Sequence, residues 1–258
     1  AEFHEGLDQH RGLDRHVQAA GNPRALQRLA GGVLLAHGHE PGHLGFRDRD
    51  FLAAPVGERQ VGKPSLLCHL ADPDVQRNNL TRPDLAGASP VKEMLEQMDL
   101  LKSKYGKVVG DLNVTGVQNL ALKLRGEELY IDYFEDPEFA HRLLKFCTEC
   151  IIDLWRLVYP LTGTGAVDVT PMCDPSIYCV PNCTVEQISG DTYAEFGLPY
   201  DNMLAEACHP FGIHHCGSLD AVAEHYAKVK NLVFVEAGFG TDFARARRLL
   251  GYHVAFNA

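Results

Sequence analysis

The 258-residue chain is 45% apolar and 22% charged, a composition that excludes a coiled coil, a collagen-like fibre and a fully disordered protein. Its 34 acidic against 24 basic side chains leave a formal charge of −10, which argues against a general affinity for nucleic acid or an anionic membrane. The longest apolar runs, such as Leu232-Val233-Phe234-Val235, fall far short of the roughly 20 residues needed to cross a bilayer.

No apolar secretory stretch follows a basic start, so a cytoplasmic, reducing location is expected. The eight cysteines are then read first as packed small apolar side chains and second as ligands or nucleophiles.

Residues 1–62 lack Lys, Ile, Tyr and Trp but scatter six His and seven Arg without period. The apolar patches around Leu34-Leu35 and Phe51-Leu52 are short. An irregular, dispensable His/Arg-rich extension, loosely structured or non-native, is the expectation, with a metal-binding His tract as the sharper alternative. From residue 63 to 258 the pattern is regular. Strands are predicted at 66–70, 108–114, 166–170, 211–216, 232–236 and 253–257. Apolar residues spaced by threes and fours predict a helix over 138–159, started by Asp136-Pro137. Two more helices are expected over 220–230 and 241–250.

Strand and helix alternating in this way point to βαβ units and a parallel sheet. Gly-x-Gly-x-x-Gly is absent after the strands, which removes the usual dinucleotide fingerprint. A TIM (β/α)8-type barrel is preferred to an open doubly wound sheet. It is expected to be incomplete at its C-terminus, because closure takes eight strands and about six are counted before Ala258.

The segment Phe211-Gly212-Ile213-His214-His215-Cys216-Gly217 carries the most chemistry. On a strand, residues two apart share a face, so His214 and Cys216 project together and His215 projects the other way. Imidazole and thiolate are ligands that zinc prefers, and the C-terminal ends of barrel strands are where active sites sit. A pair alone is also compatible with a hydrogen-bonded core histidine beside a packed cysteine, because a metal site needs three or four ligands.

Glu236, ending the next strand in sequence, is the first candidate for a third donor, or else a solvated or ion-paired carboxylate. Cys183 is the weaker candidate. Tyr200, Asp201 and His209 could contact substrate or orient ligands, although packing and capping account for them equally. Cys173, Cys179 and Cys183 match neither common ferredoxin spacing. Cys147 and Cys150 lie in mid-helix, away from the helix start where redox dithiols sit, and are read as structural.

Beyond these patterns, the chain from about Leu85 to Ala258 resembles the uroporphyrinogen decarboxylase superfamily, and within it the zinc-dependent cobalamin methyltransferases. The resemblance is carried by 119–136 (NLALKLRGEELYIDYFED) with Pro137 and Glu138. It continues in Ile188-Ser189-Gly190-Asp191-Thr192-Tyr193 with Phe196 and Leu198-Pro199-Tyr200, and ends on His214-His215-Cys216-Gly217.

The resemblance implies a TIM barrel whose zinc binds and deprotonates a thiol, which takes a methyl group from a methylated corrinoid. A small-molecule acceptor and a corrinoid protein are the implied partners. The family's further cysteine ligand would lie beyond Ala258, so this chain is expected to lack it. The arginine-rich motif of true decarboxylases is also missing from the N-terminal segment. The alternatives are a decarboxylase acting on a tetrapyrrole and a truncated homologue without catalysis.

Overall fold

The computed structural model describes residues 80–89, 91–108, 115–163, 165 and 173–257. The predicted strands at 66–70 and 166–170, nearly all of that at 108–114, and residues 1–62 with Leu34, Leu35, Phe51 and Leu52 lie outside the described residues. The chain divides into units Ala1–His39 and Glu40–Ala258, and every described residue belongs to the second.

The described part opens on helices: α1 (Val91–Tyr105), α2 (Val117–Arg125), α3 (Glu128–Glu135) and α4 (Pro137–Thr162). Asp136 starts α4 by accepting a hydrogen bond from the Phe139 amide at 3.1 Å, with Pro137 in the first turn where its missing N–H costs nothing. The predicted stripe is the buried face: Phe139, Leu143, Leu144, Cys147, Ile151, Leu154 and Val158. Phe146 is only partly buried and packs against the edge of that core. Cys150 lies in the same packed face, and burial pushes its thiol up to about 12, as suits a structural cysteine. A buried ion pair between Arg125 and Asp132, at 2.6 and 3.1 Å, ties α2 to α3.

After α4 the chain alternates. It passes through β1 (Tyr178–Pro181), a 3-10 turn (Cys183–Gln187), α5 (Gly190–Phe196), α6 (Leu198–Ala207), β2 (Phe211–His215) and α7 (Ala223–Tyr226). It ends with β3 (Leu232–Ala237), α8 (Phe243–Leu250) and β4 (Ala255–Asn257). The described strands form one parallel sheet in the order β1-β2-β3-β4. This is the mixed α/β architecture the alternation predicts.

The register aligns Pro181 with His214, His214 with Glu236, and Glu236 with Asn257. One row of residues therefore crosses the sheet near the C-terminal ends of its strands.

Two expectations are corrected in detail. The helix predicted over 220–230 is regular only at Ala223–Tyr226. Asp220 is instead held in the preceding loop, where its carboxylate accepts from the Asp242 amide at 2.9 Å and its carbonyl accepts from Arg245 at 2.8 Å. The helix predicted from residue 241 begins at Phe243 because the Asp242 side chain caps it, accepting from the Arg245 amide at 2.9 Å. Among the described residues no helix is long and apolar enough to cross a membrane.

Candidate metal centre

Strand alternation places the side chains of β2. His215 is fully buried on the helix-facing side, within hydrogen-bond distance of the Tyr226 hydroxyl (2.9 Å) and the Ser218 carbonyl (3.2 Å). Burial holds its pKa below the ordinary value, so it is a neutral core histidine. His214 and Cys216 project from the opposite face, as their spacing requires. The His214 Nε2 lies 3.0 Å from the Cys216 sulfur.

The third member comes from β1. The amide of Asn182 donates to the His214 carbonyl at 2.7 Å, which carries the β1–β2 pairing past its last strand residue. Cys183 follows, and its sulfur meets that of Cys216 at 2.9 Å. One ligand atom each from Cys183, His214 and Cys216 lie within 4.8 Å of one another.

Glu236, the first candidate for the third donor, lies apart from the two sulfurs. Level with His214 in the register, it meets the far side of the ring and hydrogen-bonds Nδ1 through Oε2. Its Oε1 accepts from the Asn257 side chain at 3.1 Å. A carboxylate at Nδ1 favours the tautomer with its proton there, the arrangement in which Nε2 is the nitrogen available to a metal. Cys183, opening the 3-10 turn after β1, and Cys216, just past β2, lie beyond this row, and there the sulfurs meet while the carboxylate stays level with the ring.

The electrostatics follow from these contacts. Burial works against ionisation of Cys183, but its contacts with His214 and Cys216 outweigh that and hold the thiol below its usual value. Cys216 is exposed as a residue, yet its sulfur turns toward the other donors; desolvation and the contact with Cys183 push its thiol up to about 12. For His214, burial disfavours the imidazolium, and the contacts with Cys183 and Glu236 overcome it to raise the pKa.

The turn bearing Cys183 is held from several sides. Asn119 donates to the Pro181 carbonyl at 2.7 Å and accepts from the Thr184 amide at 3.0 Å, while Gln118 donates to the Thr184 carbonyl at 2.9 Å. Asn182 donates to the buried carboxylate of Asp201 at 2.7 Å, and the Tyr193 hydroxyl donates to the same oxygen at 2.6 Å. Cys216 is placed by close backbone approach. A Cβ on Gly238 would fall 1.6 Å from the Cys216 carbonyl oxygen, and one on Gly217 would fall 1.9 Å from the Glu186 carboxylate. That carboxylate accepts from the Ser218 amide at 3.2 Å.

The three residues expected to contact substrate do not converge on this centre. Asp201 is 2% exposed and engaged by Asn182 and Tyr193, which sets it behind the turn that bears Cys183, away from solvent. Tyr200 lies within 2.9 Å of both Nδ1 and the carbonyl of His141, which joins α6 to α4. His209 precedes β2, at the opposite end of the strand from Cys216, and seven strand-like steps correspond to roughly 20 Å. Asn182, Gln118 and Asn119 escaped the sequence reading, because their importance lies in whom they touch.

No model of a known protein family matches the chain. The similarity is to methyltransferases. The chain is 26% identical, over 132 residues, to the methylcobamide:CoM methyltransferase MtbA of Methanosarcina acetivorans, an alignment covering 48% of this chain and 35% of that one. Its fold matches a methyltransferase from Methanosarcina mazei with a TM-score of 0.51 at 14% identity, over 67% of this chain and 49% of the other. The chain thus spans between about a third and a half of the length of these relatives. At such low identity the structural match speaks for a shared fold, and the sequence match for a distant, partial homology.

Proposed function

We propose that Cys183, His214 and Cys216 hold zinc and that the protein is a methyltransferase moving a methyl group from a methylated corrinoid to a thiol-type acceptor. The observation that carries this reading is the convergence of two sulfurs and one imidazole nitrogen within 4.8 Å in a chain similar to a methylcobamide:CoM methyltransferase. Four parallel strands in chain order support an arc of a (β/α)8 barrel. The cluster at their C-terminal ends would sit where barrel active sites lie.

The donor set fits the ion. Two thiolates and a neutral imidazole suit zinc, and three protein ligands leave the fourth position that a catalytic site keeps open. A carboxylate behind the ligating histidine is the usual partner of such a ring. Sulfurs each about 2.3 Å from one tetrahedral ion lie roughly 3.8 Å apart, so the Cys183 and Cys216 sulfurs, at 2.9 Å, would separate by about 1 Å on binding. Zinc bound here would supply positive charge that lowers the pKa of an acceptor thiol while leaving its sulfur nucleophilic.

The protein's own groups do the positioning. Glu236 keeps the His214 proton on Nδ1, and Asn257 steadies Glu236. Asn119 and Asn182 hold the turn that presents Cys183. The exposure of Cys216 leaves the cluster open for a small-molecule acceptor and a corrinoid, free or carried by a partner protein. A reducing cytoplasm would suit both thiols.

The test is zinc content of the purified chain together with methyl transfer from methylcobalamin to a thiol, followed by the corrinoid absorbance. One zinc per chain, lost in Cys216→Ser along with transfer, is expected. A metal-free protein that decarboxylates a porphyrinogen would overturn the proposal in favour of the decarboxylase reading.

A further inference from the structure

Cys183 and Cys216 also form a pair in their own right. Their sulfurs are 2.9 Å apart. Pro181 and His214 are register partners, and each cysteine lies two residues beyond its partner in that pair. Both cysteines lie just beyond the strands, Cys183 in the 3-10 turn after β1 and Cys216 in the bend after β2, and the 2.9 Å between their sulfurs exceeds a disulfide's roughly 2.05 Å by only about 0.9 Å. Burial sets the pair apart: Cys147, Cys150, Cys173, Cys179 and Cys208 are buried, whereas Cys183 is half-buried and Cys216 exposed. Among the described residues, an oxidant from solvent meets this pair first.

We infer that Cys183 and Cys216 are a modification site, at which a hydroperoxide-class oxidant converts the two thiols into a disulfide. One of the two sulfurs attacks an oxygen of hydrogen peroxide. The O–O bond breaks, that cysteine becomes a sulfenic acid, and the departing hydroxide takes the thiol proton to form water. The neighbouring sulfur then attacks the sulfenic sulfur, and the S–S bond forms as the S–O bond breaks. The second hydroxide leaves with the remaining thiol proton as another water. Two electrons pass from the thiols to the peroxide, and a thiol reductant reverses the bond.

The crosslink stands on the sulfur geometry alone. Only its consequence rests on the proposed metal site: a disulfide withdraws two of three donors, so bound zinc would be released on oxidation and rebound on reduction. Each cysteine serves the other as resolving partner, keeping it from irreversible over-oxidation.

The full chain, treated with hydrogen peroxide and then alkylated, tests this by intact mass, peptide mapping and a chromogenic zinc chelator. Loss of two hydrogens and of two alkylatable thiols, a mapped Cys183–Cys216 peptide, and recovery with dithiothreitol are expected. In Cys183→Ser and in Cys216→Ser the remaining cysteine of the pair should instead gain oxygens, while a circular dichroism spectrum matching wild type shows that each variant is folded. Wild-type Cys216 taking up two oxygens without crosslinking, or a crosslink mapped to other cysteines, would overturn the inference. A chain that crosslinks but never holds zinc removes the metal reading and leaves the disulfide standing. One that holds zinc but does not crosslink after the metal is stripped does the reverse.

Discussion

Asp201 in α6 accepts a hydrogen bond from Asn182, at 2.7 Å, and so fixes the residue that immediately precedes Cys183. A fully buried carboxylate thereby reaches the proposed metal centre through one side chain.

That burial has a pH signature. Desolvation raises the Asp201 pKa to about 6, although its bonds with Tyr193 and Asn182 pull the other way. A carboxyl whose folded pKa exceeds its unfolded value near 3.9 contributes stability below the unfolded value and loses it as pH rises through about 6. About two units correspond to roughly 3 kcal/mol. Urea unfolding of wild type and Asp201→Asn should show the variant gaining relative stability between pH 4 and pH 7.5. Parallel pH profiles for the two proteins would show that Asp201 titrates normally.

Glu236 acts on the metal through His214. Replacing it with Gln preserves an acceptor but removes the charge that holds the Nδ1 proton, and such partners are typically worth about 10- to 100-fold in metal affinity. Competition with a chelator should register that loss for Glu236→Gln and a larger one for Glu236→Ala. Unchanged affinity in both would mean that the His214–Glu236 contact is incidental.

Cys183 and Cys208 make a matched comparison, one half-buried in the cluster and the other fully buried in packing. On metal-stripped protein Cys183→Ser should leave the unfolding midpoint little changed, and it should fail to take up added zinc. Cys208→Ser should retain zinc but lower the midpoint, since a buried hydroxyl replaces a packed thiol at about 1 to 3 kcal/mol. Zinc retained at full affinity in Cys183→Ser would remove it from the ligand set.

The glycines flanking Cys216 should fail in different ways. In Gly217→Ala the new methyl meets the Glu186 carboxylate, the end of a flexible side chain, so the double variant with Glu186→Ala should recover most of the loss. In Gly238→Ala it meets the Cys216 carbonyl oxygen, which is backbone, and no side-chain change relieves it. Thermal unfolding should show a larger drop for Gly238→Ala, with a loss of the order of 1 to 3 kcal/mol or more for such overpacking. Zinc affinity should fall in step.

The local parts of this protein were written in its sequence. The stripe from Phe139 to Val158 makes α4 because helical spacing is a property of neighbouring residues, and Asp136-Pro137 marks its start for the same reason. His214 and Cys216 fall on one face, and His215 on the other, because alternation along a strand needs no partner. The non-local parts came only with the fold. Cys183 lies 33 residues from Cys216 and becomes its neighbour through parallel strand register, whereas Glu236, nearer the pair along the chain than Cys183, is set behind the His214 ring by that same register. Asp201 and His209 both lie near the pair in sequence, yet the fold seals one inside behind Asn182 and sets the other at the far end of β2. Spacing along a chain decides which face a side chain takes, but which faces meet is decided by strand pairing and burial across the whole sheet.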